Sequence, residues 1–144
     1  ALLGLVFEEL QHLAVCVALH RTHPLARARR VGLEHVAREH LIAFTLADYP
    51  EYRAWIASLF APLNRPPQIV EELDSMTSLI AAVESGRGVA VIAQPFNGLG
   101  SSRLKIRPLQ PAPLPLGVGI AYRRKFRSTA TNNFIEAARR AKVG

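Results

Sequence analysis

Two short segments of this sequence place hydroxyl and carboxylate side chains at the start of a predicted helix. Thr45 and Asp48 precede one helix, and Asp74, Ser75 and Thr77 begin another. The first amides of a helix have no intrahelical partner and carry the positive end of the helix dipole, so they suit the carboxylate of a small organic acid. The candidate ligand-contacting residues are Thr45, Asp48, Leu73, Asp74, Ser75 and Thr77.

A simpler role for the second segment is helix capping. Ser and Asp are both favoured N-cap residues, so Asp74 or Ser75 could serve only to cap its own helix. The charge of Asp74 would also compete with an anionic ligand for the same helix dipole. The residues alone leave ligand contact and capping both open.

The second segment lies in the middle of a predicted strand–helix–strand unit. The residues Gln68–Leu73 are typical of a strand, and a helix with one apolar face follows, formed by Met76, Leu79, Ile80 and Val83. Gly86 suits the left-handed residue that ends such a helix. The apolar run Val89–Ala93 then predicts a strand covered on both faces. Ligands of open α/β folds usually bind at the carboxyl edge of such strands.

The first segment follows a predicted strand, Leu41–Thr45, and leads into a helix with Pro50 at its first position. The buried side of this helix is expected to consist of Tyr52, Trp55, Ile56 and Leu59. Apolar runs at Leu13–Leu19 and Leu116–Ala121 predict buried strands whose partner strands we expect to lie outside this chain. A closing helix is predicted over Ser128–Lys142, packed through Phe134, Ile135, Ala138 and Ala141.

Three runs in order resemble the effector-binding domain of LysR-type transcriptional regulators. The first is a His-Pro-Leu-Ala turn at His23–Ala26 that follows a strand. The second is the Asp-Ser start at Asp74, with Thr77, Val83 and a Gly-x-Gly-Val-Ala sequence that begins at Gly86. The third is a return segment, Ile106–Leu109 and then Gly119–Arg124. With the strand from Val17 that precedes the first run and the terminal helix containing Phe134 that follows the third, they extend over nearly the whole chain.

This resemblance implies an α/β fold of the periplasmic-binding-protein-like type 2 class, with two Rossmann-like subdomains, the first incomplete in this chain. Residues 1–23 and 101–144 would be part of the first subdomain, and residues 24–100 would be the second. The family's winged helix-turn-helix is absent from the sequence, so DNA would be bound only through that missing domain. The resemblance also implies a small-molecule effector that changes the arrangement of a dimer or tetramer, and positions matching the two helix starts approach the effector in the family.

Catalytic and metal-binding patterns find little support in the sequence. The five His residues show no His-Glu-x-x-His or similar ligand spacing. Nearby acids such as Asp48 and Glu51 are explained by capping and solvation before acid–base catalysis. We therefore predict no catalytic residue, no metal site and no cofactor.

Composition limits the remaining classes of function. The charge of +7 comes from basic clusters, including Arg27, Arg29 and Arg30, which could contact nucleic acid but are more simply solvated loop residues. No apolar run approaches the length of a membrane span, so no membrane contact is expected. Cys16, the single cysteine, can form no internal disulfide, which favours the cytoplasm.

Two alternatives share the implied fold. A solute-binding protein of a transporter would carry a signal peptide. An enzyme such as a dehydratase would need a Ser/Thr or acid pair facing across its cleft. An upstream winged helix-turn-helix would distinguish the regulator from both.

Overall fold

The computed structural model of the chain describes residues 5–93, 102–113, 116–123 and 129–141. Two compact units are formed, one by Ala14–Leu114 and the other by Ala1–Leu13 with Pro115–Gly144. The predicted boundary between residues 23 and 24 therefore falls inside the larger unit, because the strand before it pairs with strands after it. The predicted boundary between residues 100 and 101 lies outside the described residues.

The described residues of both units form the following strands and helices. The strands are β1 (Leu5–Leu13), β2 (Val15–His20), β3 (Val31–Gly32), β4 (His40–Phe44), β5 (Gln68–Leu73), β6 (Ala90–Ala93), β7 (Leu104–Gln110) and β8 (Leu116–Arg123). The α-helices are α1 (Leu33–Val36), α2 (Pro50–Phe60), α3 (Met76–Glu84) and α4 (Thr129–Arg140), and short 3-10 helices cover Pro24–Arg27 and Ala61–Leu63. Within the described ranges, no helix has the length and apolar character needed to cross a membrane.

The larger unit has its strands in the order β3-β7-β2-β6, followed by β4-β5. The two groups meet at a parallel bridge between Leu41 and Val89. There the Ile42 amide donates to the Val89 carbonyl at 2.8 Å, and the Val89 amide donates to the His40 carbonyl at 2.9 Å. β4 runs parallel to β5, whereas β2 runs antiparallel to both β6 and β7.

The predicted strand–helix–strand unit is confirmed as β5, α3 and β6, with β4 between its two strands. α3 begins directly after Ser75 and buries Leu79, Ile80 and Val83 as its apolar spacing predicts. Gly86 has the expected left-handed backbone, with φ of 75°. Every residue of the run Val89–Ala93 is buried, as expected for a strand covered on both faces.

Alternate residues of the central strands contribute to two apolar clusters. In β2, Val17 and Leu19 belong to one cluster, and Ala18 belongs to the other, which α3 covers. α2 covers the first cluster through its fully buried Ile56 and Phe60. The prediction for α2 was right about Ile56 and missed Phe60. Tyr52, Trp55 and Leu59 are only partly buried against this cluster.

The expectation that two apolar strands lack partners in this chain is wrong. The predicted Leu13–Leu19 strand is interrupted at Ala14, and its main part, β2, is paired on both edges. The predicted strand Leu116–Ala121 lies in β8, which pairs antiparallel with β1, a strand that the sequence analysis missed. An apolar run indicates burial but does not identify the segment that pairs with it.

The smaller unit consists of the β1–β8 pair and α4. Within it, the Arg139 guanidinium makes a two-pronged contact with the Glu8 carboxylate, from Nε at 2.5 Å and from Nη2 at 2.7 Å. Ile135 is buried as predicted, whereas Phe134 is 64% exposed and Ala141 is also exposed, so the predicted packed side of α4 is only partly correct.

The absence of a side chain at Gly88 allows the backbones of β4 and of the segment before β6 to lie close together. A Cβ atom there would lie 2.6 Å from the His40 carbonyl oxygen, so Gly88→Ala must displace backbone that bonds Val89. We expect the free energy of unfolding, measured by urea denaturation, to fall by about 2–3 kcal/mol. Gly86→Ala is the control, because its Cβ would meet nothing within 4 Å and only its positive φ would cost about 1 kcal/mol. A Gly88→Ala protein with unchanged stability would contradict this account of the junction.

Candidate functional site

The two predicted helix starts lie side by side at one edge of the larger unit's sheet. β4 and β5 are parallel neighbours whose last residues, Phe44 and Leu73, are register partners. Directly after them, the Thr45 amide donates to the Leu73 carbonyl at 3.1 Å. The first loop, Thr45–Tyr49, and the second loop, Asp74–Ser75, therefore leave the sheet at the same place, and we call them the paired loops.

The first of the paired loops is closed by its own polar groups. The Thr45 hydroxyl donates to Asp48 Oδ2 at 2.8 Å and accepts from the Asp48 amide at 3.3 Å. The Tyr49 amide donates to the Thr45 carbonyl at 2.9 Å. α2 then begins without a side-chain cap. Thr45 is half-buried and Asp48 is exposed, so the loop presents a hydroxyl and a carboxylate held in a fixed relation.

Ser75, and not Asp74, caps α3. The Ser75 hydroxyl accepts from the Ser78 amide at 3.2 Å and donates to the Ser78 hydroxyl at 2.9 Å. Asp74 and Thr77 are exposed beside this cap. The capping role is thus occupied by Ser75, and the Asp74 carboxylate is left at the surface of the second loop.

Tyr49 joins the paired loops, which the sequence analysis did not anticipate. Its hydroxyl donates to the Asp74 carbonyl at 2.9 Å, and its ring lies 4.7 Å from that of Phe44, measured between centroids. Of the predicted site residues, Thr45, Asp48, Leu73 and Asp74 are connected through this loop pair, and Ser75 adjoins it. Thr77 takes part in none of the hydrogen bonds between the two loops. An aromatic residue just before the helix-starting Pro50 was the available signal for Tyr49.

Tyr52 fixes α2 behind the paired loops. Its hydroxyl donates to the Val91 carbonyl at 2.8 Å, and its ring packs edge-on against Phe44 with centroids 5.0 Å apart. Burial raises the pKa of the Tyr52 phenol well above its usual range, while the charge of Arg53 acts weakly in the opposite direction. The hydroxyl therefore stays protonated and remains a donor at any physiological pH.

The charge around the paired loops is mostly negative. Asp48, Glu51 and Asp74 are exposed there. Arg53, the nearby cation on α2, is already engaged by the Glu72 carboxylate on β5. A ligand touching this surface meets carboxylates, hydroxyls and an aromatic ring. Such a surface favours ligand groups that donate hydrogen bonds.

His20, His23 and Cys16 are held in contacts of their own. His23 bonds Glu39 and the Leu25 amide, and His20 bonds Thr22. Cys16 is buried, which raises the pKa of its thiol. Among the described residues, no three His, Cys, Asp or Glu side chains are grouped as metal ligands would be.

Removing the hydroxyl of Tyr49 or of Tyr52 should show how much each contact stabilises the protein: the Tyr49 bond between the paired loops, or the Tyr52 bond from α2 to β6. Tyr52→Phe leaves the buried Val91 carbonyl without its side-chain donor, and we expect it to lower the free energy of unfolding by about 1–2 kcal/mol. Tyr49→Phe removes a more exposed bond and should cost about 0.5 kcal/mol. Urea denaturation of both variants gives the comparison. A larger loss in Tyr49→Phe than in Tyr52→Phe would show that the paired loops, and not the α2–β6 contact, hold this region.

Solved structures of several regulators share this fold. The chain is similar to the effector-binding domain of QuiR in complex with shikimate (TM-score 0.81, 23% identity), with 96% of this chain and 66% of that chain covered. It is similar to the regulatory domain of CcmR from Synechocystis PCC6803 in complex with 2-PG (TM-score 0.82, 20% identity, 96% and 67% covered). It is also similar to the BenM effector-binding domain with benzoate (TM-score 0.81, 19% identity, 97% and 64% covered).

These similarities extend over only part of each relative. The chain spans about two thirds of those domains and 49% of CbnR, a LysR family transcriptional regulator. No curated protein sequence matches the chain. The sequence model of one protein family, the LysR substrate binding domain, however, matches residues 2–142. The predicted fold class is thus confirmed as the periplasmic-binding-protein-like type 2 class, and the chain belongs to the LysR substrate binding domain family.

Proposed function

We propose that this chain is the ligand-sensing part of a LysR-type transcriptional regulator and that the paired loops contact its effector. The observation that carries this proposal is the junction of the two loops. The Thr45 amide bonds the Leu73 carbonyl, and the Tyr49 hydroxyl bonds the Asp74 carbonyl. A ligand that displaces or tightens either bond changes both loops together and, through them, the starts of α2 and α3. Thr45, Asp48, Leu73, Asp74, Ser75 and Thr77 remain the proposed effector-contacting residues, and Tyr49 is added to them.

The proposed effector is a small organic or aromatic acid. Family membership supports this, as do the structurally similar domains that carry shikimate and benzoate. The charges of this chain add a constraint on orientation, since Asp48 and Asp74 would repel a carboxylate placed directly against them. The face of the effector that meets the paired loops therefore carries hydroxyl or other donor groups, and its acid group points away from them.

The regulatory mechanism we propose is a shift between arrangements of a dimer or tetramer. A ligand shifts such an equilibrium only by its difference in affinity for the two states. DNA would be read by a winged helix-turn-helix outside these residues, and the chain itself would catalyse nothing. The larger unit would correspond to the second subdomain of the family and the smaller unit to part of the first. Residence in the cytoplasm, where transcription factors meet DNA, completes the proposal.

A ligand screen tests the site. The screen covers small aliphatic and aromatic acids, shikimate and benzoate among them. At least one of these classes of acid should raise the melting temperature of the intact protein that contains this chain. Thr45→Ala and Ser75→Ala should each reduce that rise, relative to the variant's own unliganded melting temperature, because each removes a hydroxyl from the paired loops.

Ser58→Ala is the matched control for both variants. Its hydroxyl bonds the Trp55 carbonyl within α2 and is exposed, so the ligand-induced rise should be unaffected. The cap removed in Ser75→Ala costs about 1 kcal/mol of stability by itself, so each variant is compared with and without ligand. An undiminished rise in both Thr45→Ala and Ser75→Ala would remove the paired loops from the site.

The positive charge yields a separate prediction. If DNA is read by another domain, the 144-residue chain alone should bind duplex DNA weakly and without sequence preference. Such binding should disappear between about 50 and 200 mM salt, because it rests on counterion release alone. Fluorescence anisotropy with labelled duplexes measures it. Salt-resistant binding to one defined sequence would contradict the proposed division of labour.

A further inference from the structure

A concave surface of the larger unit lies at the end of the strand order that is farthest from the paired loops. β3 and β5 are at the two ends of the strand order, and the paired loops adjoin β5. Beside β3 there is a cavity of about 540 Å³ lined by the 3-10 helix Pro24–Arg27, by β3 and α1, and by the end of β7. We call it the basic groove. It shares no lining residue with the paired loops.

Hydrogen bonds from residues that do not line the basic groove hold its walls in place. The Arg107 guanidinium donates to the Ala26 carbonyl from Nε at 3.2 Å and from Nη2 at 3.1 Å. His23 accepts from the Leu25 amide at 3.0 Å and contacts Glu39 at 3.1 Å through its other ring nitrogen. On the far wall, β3 is held parallel to β7. The groove is therefore formed before any ligand arrives.

Two arginines of the groove have no side-chain partner in the part of the chain that the structure describes. Arg27 and Arg30 line the cavity and are exposed, and no hydrogen bond or ion pair joins either of them to another described residue. Arg53 and Arg87, by contrast, contact Glu72 and Glu71. Guanidinium groups bind carboxylates and phosphates in a two-pronged geometry, and each unpaired one is available for such a contact.

The remaining titratable groups of the groove leave it positive. Glu34 is the one carboxylate among its lining residues; its Oε1 lies 4.0 Å from His35 Nε2, and among the described residues it forms no ion pair with Arg27 or Arg30. Apolar side chains, among them Pro24, Leu25 and Ala28, form part of the wall. A cavity of this volume lies within the range of small-molecule sites.

We propose that the basic groove is a second binding site, for a small organic anion that carries a carboxylate or phosphate on an apolar body. Arg27 and Arg30 hold the anionic group, and the apolar wall receives the rest of the molecule. The concave shape and the apolar wall distinguish this ligand from a DNA backbone, which would lie along a convex or open basic surface.

Isothermal titration of the 144-residue chain tests the proposal with three probes, benzoate, phenyl phosphate and inorganic phosphate. The first two should bind, and their ranking separates a carboxylate from a phosphate ligand. Inorganic phosphate should bind more weakly because it has no apolar body. The double variant Arg27→Gln/Arg30→Gln should lower the affinity by about tenfold or more, since two charge-assisted contacts are lost.

Arg29→Gln is the matched control, because Arg29 is exposed between the two arginines in sequence and does not line the groove. It should leave the affinity for all three probes unchanged. Circular dichroism confirms that the variants fold. Absence of binding by all three probes, or equal losses in Arg29→Gln and the double variant, would overturn the proposal. So would a double variant that loses only affinity for duplex DNA.

Discussion

The parallel pairing of β4 with β5 is the constraint on which the candidate site depends. Its register makes Phe44 and Leu73 partners. The register shifts by one residue between Leu41, which pairs with Ile69, and Ile42, which pairs with Glu71. Because side chains alternate along a strand, a slip of one residue in either strand would turn the side chains at its end to the opposite face. The bond between the Thr45 amide and the Leu73 carbonyl would then be lost. The paired loops are thus a consequence of strand register.

That pairing is held in turn by the junction with β6. Ile42 and His40 exchange backbone bonds with Val89, and Gly88 allows the two backbones to come close. Tyr52 connects α2 to the Val91 carbonyl of the same strand. The helix that begins at the paired loops is therefore tied to the middle of the sheet. A change in the loops that moves the start of α2 would have to work against this buried bond, which limits motion to the loop end of the helix.

The sequence was most informative where a local pattern decides the structure. The apolar spacing of α3, a cap at Asp74 or Ser75 and the left-handed Gly86 were predictable, because helix periodicity and capping act within a few residues, and the structure assigns the cap to Ser75. The carboxyl-edge position of the candidate site followed from the predicted parallel strands. The candidate residues of both helix starts were proposed because the resemblance implied that matching positions approach the effector in the family.

What could not be predicted depends on contacts between distant residues. β2 reads as a buried strand, but no local pattern states that β6 and β7 flank it. The Tyr49 hydroxyl reaches the Asp74 carbonyl, and Arg107 reaches the Ala26 carbonyl, across long stretches of sequence. A backbone carbonyl has no side-chain signature, so the partner of a long polar side chain is invisible until the fold is known.

The most direct measurement of the central claim is a map of backbone amide chemical shifts. It would use the intact protein with and without the compound that most raises its melting temperature. Our account predicts that the largest changes occur at Thr45–Tyr49 and at Asp74–Thr77, with smaller ones along the first turns of α2 and α3. Unchanged amides in both loops, with the largest changes elsewhere in the larger unit, would contradict it.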